Sequence, residues 1–230
     1  MHRTGSSLIT GTLNAHPDAI VHGELFSRNT AHHLRPPFRD LADLTERDRD
    51  PVGFVRTVLD WAPGGELWRG AKHFHYQNPE AGDWMLAEDG ICKIVLEREN
   101  RLAMWASQRL AEATKTWNVA PGADLADLRA RTVAFRPKLF RAFATKIDAV
   151  YAHYRSAAQG RVLNVRYCGL VPDGLSEIAA FLGLPEPLPP LAREKLHGSD
   201  IVARFHEEDR ARVRATLAEM GREDWAVEEA

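Results

Sequence analysis

The chain has 230 residues, is 44% hydrophobic and 27% charged, and sets 30 Lys+Arg against 32 Asp+Glu for a net charge of −2. That is the composition of an ordinary globular chain. The near-neutral balance excludes a global basic field for non-specific nucleic-acid binding, and no apolar run reaches the roughly 20 residues that span a bilayer. Two cysteines, Cys92 and Cys168, are too few for a disulfide framework. With an opening Met1-His2-Arg3 that has no apolar signal core, they predict a reducing, cytoplasmic setting.

Leu8, Ile9 and Leu13 fall at helical spacing and predict a helix over Ser6–Asn14, stopped by His16-Pro17-Asp18. Ala19-Ile20-Val21 reads as a short buried strand leading into His22-Gly23-Glu24. Residues 28–50 are polar, carry Pro36-Pro37 and read as a loop. Asp50-Pro51 starts a helix, a capping carboxylate before a proline at the first helical position. Trp68–Tyr76 is a candidate strand. Ile91–Leu96 is nearly continuous in apolar residues, as a buried parallel strand should be, and runs into a helical pattern over Asn100–Trp117. Residues 117–134 are irregular. Leu139, Phe143, Ile147, Val150 and Tyr154 define an amphipathic helix ended by Gly160. A strand over Val162–Tyr167 and a helix over Leu175–Leu182, closed by Gly183, follow. A proline-rich connector at Pro185–Pro190, a basic segment from Arg193 to Arg204, a charged helix over about His206–Met220 and a frayed acidic tail at 223–230 complete the chain. Strands separated by helices predict an α/β fold, a single domain over 1–222 with a mostly parallel sheet flanked by helices. Ligands in such sheets sit where strand runs into helix.

Three such places carry chemistry. In Arg3-Thr4-Gly5-Ser6-Ser7 a glycine permits a tight turn, and backbone N–H groups, hydroxyls and a guanidinium then converge at the positive end of a helix. That suits a phosphate or sulfate, although Ser and Thr also cap helices for structural reasons alone. The loop lacks the second glycine and the lysine of a Walker A motif. Glu24, after the first strand, is placed to take a proton from a hydroxyl, and His22 offers the same chemistry nearer neutrality; both also read as a solvated loop pair. Arg98 after the strand at 91–96, with Arg101 and Ser107 on the next helix, suits bidentate phosphate binding or exposed helix pairing. Neither His32-His33 nor His73-x-His75 comes with a complete ligand set, so no metal is expected.

In order, Arg3-Thr4-Gly5-Ser6-Ser7-Leu8, His16-Pro17-Asp18 and Gly23-Glu24-Leu25-Phe26 resemble the start of the bacterial sulfotransferase family that includes nodulation-factor and trehalose sulfotransferases. Arg98-Glu99-Asn100-Arg101-Leu102 with Ser107 resembles its second signature, and Val162–Tyr167 with Phe181-Leu182-Gly183-Leu184 its C-terminal portion. The resemblance covers most of the chain. It implies a P-loop-like fold and 3′-phosphoadenosine 5′-phosphosulfate (PAPS) as donor. It also implies that Arg3, Thr4, Gly5, Ser6 and Ser7 hold the 5′-phosphosulfate, that Arg98 and Ser107 hold the 3′-phosphate, and that Glu24 is the general base. Arg193, Lys195 and Arg204 would close over the nucleotide, and Lys72 in Gly70-Ala71-Lys72 would approach the reaction centre. Arg3 and the loop amides would stabilise the charge that develops on the leaving phosphate.

The sequence departs from this pattern in three places. The family's phosphate loop follows a buried strand, whereas this sequence begins at Met1-His2-Arg3, so a sheet lacking its usual first strand is expected. Glu99 stands where a second basic residue is usual. Tyr167-Cys168-Gly169-Leu170 replaces a frequent acidic pair. The acceptor would be a carbohydrate or similar small molecule, not nucleic acid or membrane; Trp61, Trp68, Trp84 and Trp117 are candidates for stacking on a sugar or for the core. The alternative is a non-catalytic relative that binds a nucleotide or a partner.

Overall fold

A computed structural model describes residues 3–28, 33–117, 125–185, 188 and 198–228. Helix α1 (Ser6–Asn14) leads to strand β1 (Ala19–Glu24). The stretch expected to be loop holds two short helices, α2 (Phe38–Leu41) and α3 (Leu44–Arg49). Their polar sequence hid them, but Asp43 caps α3 by accepting from the N–H of Thr45 and Glu46. Helix α4 (Pro51–Asp60) starts at Asp50-Pro51, where Asp50 Oδ1 accepts from Gly53 N–H at 2.8 Å. Strand β2 (Trp68–Lys72) is shorter than its sequence pattern, because a 3₁₀ turn occupies His75–Gln77. Helix α5 (Pro79–Ala87), capped by Asn78, was not apparent from periodicity. Next come β3 (Lys93–Glu97), α6 (Arg101–Thr114), α7 (Ala126–Ala130), α8 (Pro137–Ala157), β4 (Val162–Arg166), α9 (Leu175–Leu182) and α10 (Arg210–Met220).

The protein is mixed α/β, and its strands form two parallel pairs, β1–β2 and β3–β4. Alternation along β3 shows how helices cover both faces. Ile94 and Leu96 pack with α1 and α9 through Ile9, Ile178 and Leu182, while Val95 points the other way onto Met104, Ile147 and Tyr151 of α6 and α8. A third cluster lies between α6, α8 and α10, where Leu102, Phe140, Ile201, Phe205 and Val213 are fully enclosed. Each such side chain contributes about 1.5–3 kcal/mol on burial.

A cavity of about 710 Å³ is lined by consecutive residues 67–74 at β2 and 90–96 at β3, and by Thr4, Ser6 and Ile9 of the first turn and helix. The strands are therefore not one continuous sheet among the described residues. The segment expected to fray is docked instead. Trp225 is buried, Ile201 N–H donates to the Ala226 carbonyl at 2.9 Å, and Glu228 N–H donates to the Ser199 carbonyl at 3.0 Å. No helix among the described residues is long and apolar enough to cross a membrane.

Candidate functional site

The loop before α1 is built on left-handed backbone. Arg3 has φ 62° and Gly5 φ 85°, and Gly5 is the N-cap residue of α1, its carbonyl accepting from Leu8 N–H at 2.8 Å. Glycine is required at position 5 on two counts. The positive φ strains any other residue, and a Cβ would lie 2.9 Å from Leu170 Cδ2 and 3.2 Å from the Tyr167 ring. Thr4 is buried, and with Ser6 it lines the cavity that Lys72 also lines.

Arg3 links the loop to the second sequence candidate. Its Nε donates to Ser107 Oγ at 2.7 Å and its Nη1 to the Trp117 carbonyl at 2.6 Å. Arg98 Nη1 donates to the Arg3 carbonyl at 2.9 Å, and the Arg98 guanidinium lies 4.2 Å from the centre of the Tyr167 ring. Arg3, Arg98 and Ser107 are thus brought together, but Ser107 meets Arg98 only through Arg3. The bend between β3 and α6 makes this possible, with Asn100 capping α6 through Ala103 N–H.

Arg98 is buried, and its charge is met by a residue that no motif marks. Glu228 accepts from Arg98 Nε at 2.9 Å on Oε1 and from Nη2 on Oε2. Buried Arg204 belongs to the same cluster. Burial first, and the neighbouring Arg98 second, push its pKa down to about 10; its Nη2 donates to the Gly198 carbonyl at 2.9 Å. Glu228 pairs with Arg98 and acts on Arg204 only through its charge, so the cluster has two enclosed guanidinium groups around an anion that comes from the chain itself. Arg193 and Lys195 lie outside the described residues.

Two neighbours of Arg98 point elsewhere. Glu99 pairs with exposed Arg166, whose Nε donates to Oε2 at 2.7 Å, so its carboxylate is spent at the surface. Arg101 is turned inward, pairing with Asp148 at 2.9 Å and Glu97 at 2.5 Å beneath the Tyr151 ring. It fastens α6 to α8.

Glu24 ends β1. The pairing slips between His22 and Glu24, which sets Glu24 beside Lys72 of β2. Lys72 Nζ lies 2.9 Å from Glu24 Oε1 and Gln77 Nε2 donates to Oε2 at 2.9 Å, with the carboxylate side chain only 9% exposed. Lys72 also lies 5.3 Å from the centre of the Phe74 ring. Gln77, on the 3₁₀ turn, gave no sequence signal. His22 is not an alternative base. It is fully enclosed against Phe38 and Trp61, its Nδ1 accepts from Arg35 N–H at 3.0 Å, and burial with Arg35 pulls its pKa down to about 4.

The tryptophans divide between roles. Trp61 packs against His22 and Phe38, and Trp84 lies under Arg56 beside the cavity. The Trp117 side chain is exposed next to Arg3. No model of a known protein family matches the chain, and no curated protein matches it.

Proposed function

We propose that the chain is a sulfotransferase that moves a sulfuryl group from PAPS to a hydroxyl of a carbohydrate or similar small acceptor. The observation that carries this reading is the convergence of Arg3, at the Gly5 turn, with Arg98 and Ser107, which lie 95 and 104 residues further along the chain. Parallel strands followed by helices, with the loop at a helix N-terminus, fit a P-loop-like sheet. Arg3 and the first-turn amides would hold the 5′-phosphosulfate. Arg98, Ser107 and Arg204 would hold the 3′-phosphate, in the place that the Glu228 carboxylate takes here.

The reaction needs an in-line displacement at sulfur. The acceptor oxygen forms a new S–O bond, the bond from sulfur to the bridging oxygen breaks, and the electron pair leaves with the 5′-phosphate. Cationic and N–H donors fixed beforehand around that oxygen lower the barrier as its charge grows. Glu24 takes the acceptor's proton. Its two oxygens are held by Lys72 and Gln77, so the incoming hydroxyl shares or displaces one of these donors. Lys72 then remains beside the transferring group as a fixed positive charge.

A second reading, a nucleotide- or partner-binding protein without turnover, draws on the Glu228 carboxylate in the Arg98 fork. Labelled PAPS incubated with a panel of sugars decides between them. Labelled sulfated product supports the enzyme; tight binding of adenosine 3′,5′-bisphosphate with no product from any acceptor supports the binding protein. Arg98→Ala should weaken the 3′-phosphorylated nucleotide and spare its 3′-dephospho analogue. Equal weakening of both removes the 3′-phosphate assignment.

A further inference from the structure

Away from the loop, three elements bring two imidazoles and a carboxylate to one point. His75 comes from the 3₁₀ turn, Asp83 from α5 and His153 from α8. Both Nε2 atoms address the same oxygen, His75 at 2.8 Å and His153 at 2.7 Å from Asp83 Oδ1. The two rings stand 4.7 Å apart, and all three candidate donor atoms lie within 4.8 Å of one another. The approach is built into the backbone. Gly82 precedes Asp83, and a Cβ there would lie 2.8 Å from His75 Cδ2, so only glycine lets α5 come this close to the turn. His75 N–H donates to Tyr154 Oη at 3.2 Å, which fixes the turn against α8 beside His153.

We propose that His75, Asp83 and His153 form a binding site for a divalent transition-metal ion of the zinc type, through the two Nε2 atoms and Oδ1. Two neutral imidazoles and one carboxylate are borderline and hard donors in the combination that zinc and its first-row neighbours accept. Bond lengths of about 2.0–2.1 Å in a tetrahedral site put neighbouring donors about 3.3 Å apart. The present contacts therefore open by about half an ångström to admit the ion. Asp83 and His153 have the freedom to do so, with side chains 55% and 38% exposed. The same exposure leaves the remaining coordination position to water.

Binding there joins the His75–Gln77 turn to α5 and α8. Gln77 of that turn donates to Glu24, so the ion would brace the support of the carboxylate. This consequence depends on the sulfotransferase reading; the site itself does not.

The test uses the full chain without a polyhistidine tag, stripped with EDTA and titrated separately with zinc chloride and cobalt chloride. One equivalent of zinc by calorimetry and visible d–d absorption on adding cobalt are expected. Asp83→Ala and His153→Ala should each weaken zinc by about tenfold or more while leaving the metal-free unfolding midpoint nearly unchanged, since both side chains are substantially exposed. Unchanged zinc affinity in both variants, or no saturable binding by the parent protein, overturns the site. Sulfate transfer is not a readout here, so loss of metal binding and absence of turnover are separate results.

Discussion

The carboxylate of Glu228 sits in the guanidinium fork of Arg98, 130 residues away in sequence, with Nε to Oε1 at 2.9 Å. Both side chains are nearly enclosed, at 7% and 11% exposure. Arg204 lies close enough for Arg98 to depress its pKa. Removing one partner of such a pair costs about 3–5 kcal/mol, because it strands the other charge. Glu228→Gln keeps the shape and removes the anion, so its urea midpoint should fall. Adenosine 3′,5′-bisphosphate should then raise the stability of Glu228→Gln more than that of the parent, since it no longer displaces a carboxylate. Equal stabilisation of the two proteins would show that Glu228 and the nucleotide do not compete.

Glu24→Gln tests the base. The substitution keeps a hydrogen-bond acceptor for Lys72 and removes the carboxylate that the proposed transfer would use as proton acceptor. General-base catalysis contributes about 10²–10⁴-fold. Turnover should fall by that order, while affinity for adenosine 3′,5′-bisphosphate stays within a few-fold. Lys72→Met should also slow transfer and, in addition, destabilise the fold, because the enclosed Glu24 carboxylate loses its cationic partner. Unchanged turnover in Glu24→Gln removes that residue from the mechanism.

Local chemistry made the helices legible where it was strong. Asp50-Pro51 marked α4 and the Leu139–Tyr154 stripe marked α8, because capping and 3.6-residue periodicity are written into adjacent residues. Helix α5 escaped because its core contacts are few, Ala81, Gly82 and Leu86 being buried, which gives a weak stripe. The site was legible in one half. Arg3, Arg98 and Ser107 were visible as types suited to anions, and the fold unites them. Glu228, Gln77 and Tyr167 were not, since each acts through a contact more than 50 residues away in sequence. For the same reason His73-x-His75 looked like an incomplete ligand set: Asp83 and His153 join His75 only after α5 and α8 pack.

Gly5→Ala separates the turn from its hydroxyls. Alanine at φ 85° costs about 1–2 kcal/mol, and its methyl meets Leu170 and Tyr167. The variant should lose at least this much stability in urea unfolding. Because Tyr167 lies against Arg98, displacement of the ring should also weaken nucleotide binding. Full stability in Gly5→Ala would mean that the turn readily changes conformation.

Stability should fall with acid earlier than the carboxylates alone dictate. His22 and His73 are held neutral in the folded protein, each with a pKa pulled from 6.5 to about 4, chiefly by burial. The unfolded chain binds protons at these positions below about pH 6.5, whereas the folded chain does so only near pH 4. Protons therefore favour unfolding throughout that window. The contribution is fully present above pH 6.5, declines as pH falls, and is gone below pH 4. A depression of this size corresponds to about 3 kcal/mol per histidine. His22→Asn keeps an acceptor for Arg35 N–H and removes the titrating ring. Its unfolding free energy, measured in urea from pH 7 to pH 4.5, should be lower than the parent's at pH 7 because of lost packing, yet decline less steeply with acid. Parallel pH profiles for the two proteins would show that His22 titrates alike in the folded and unfolded chains.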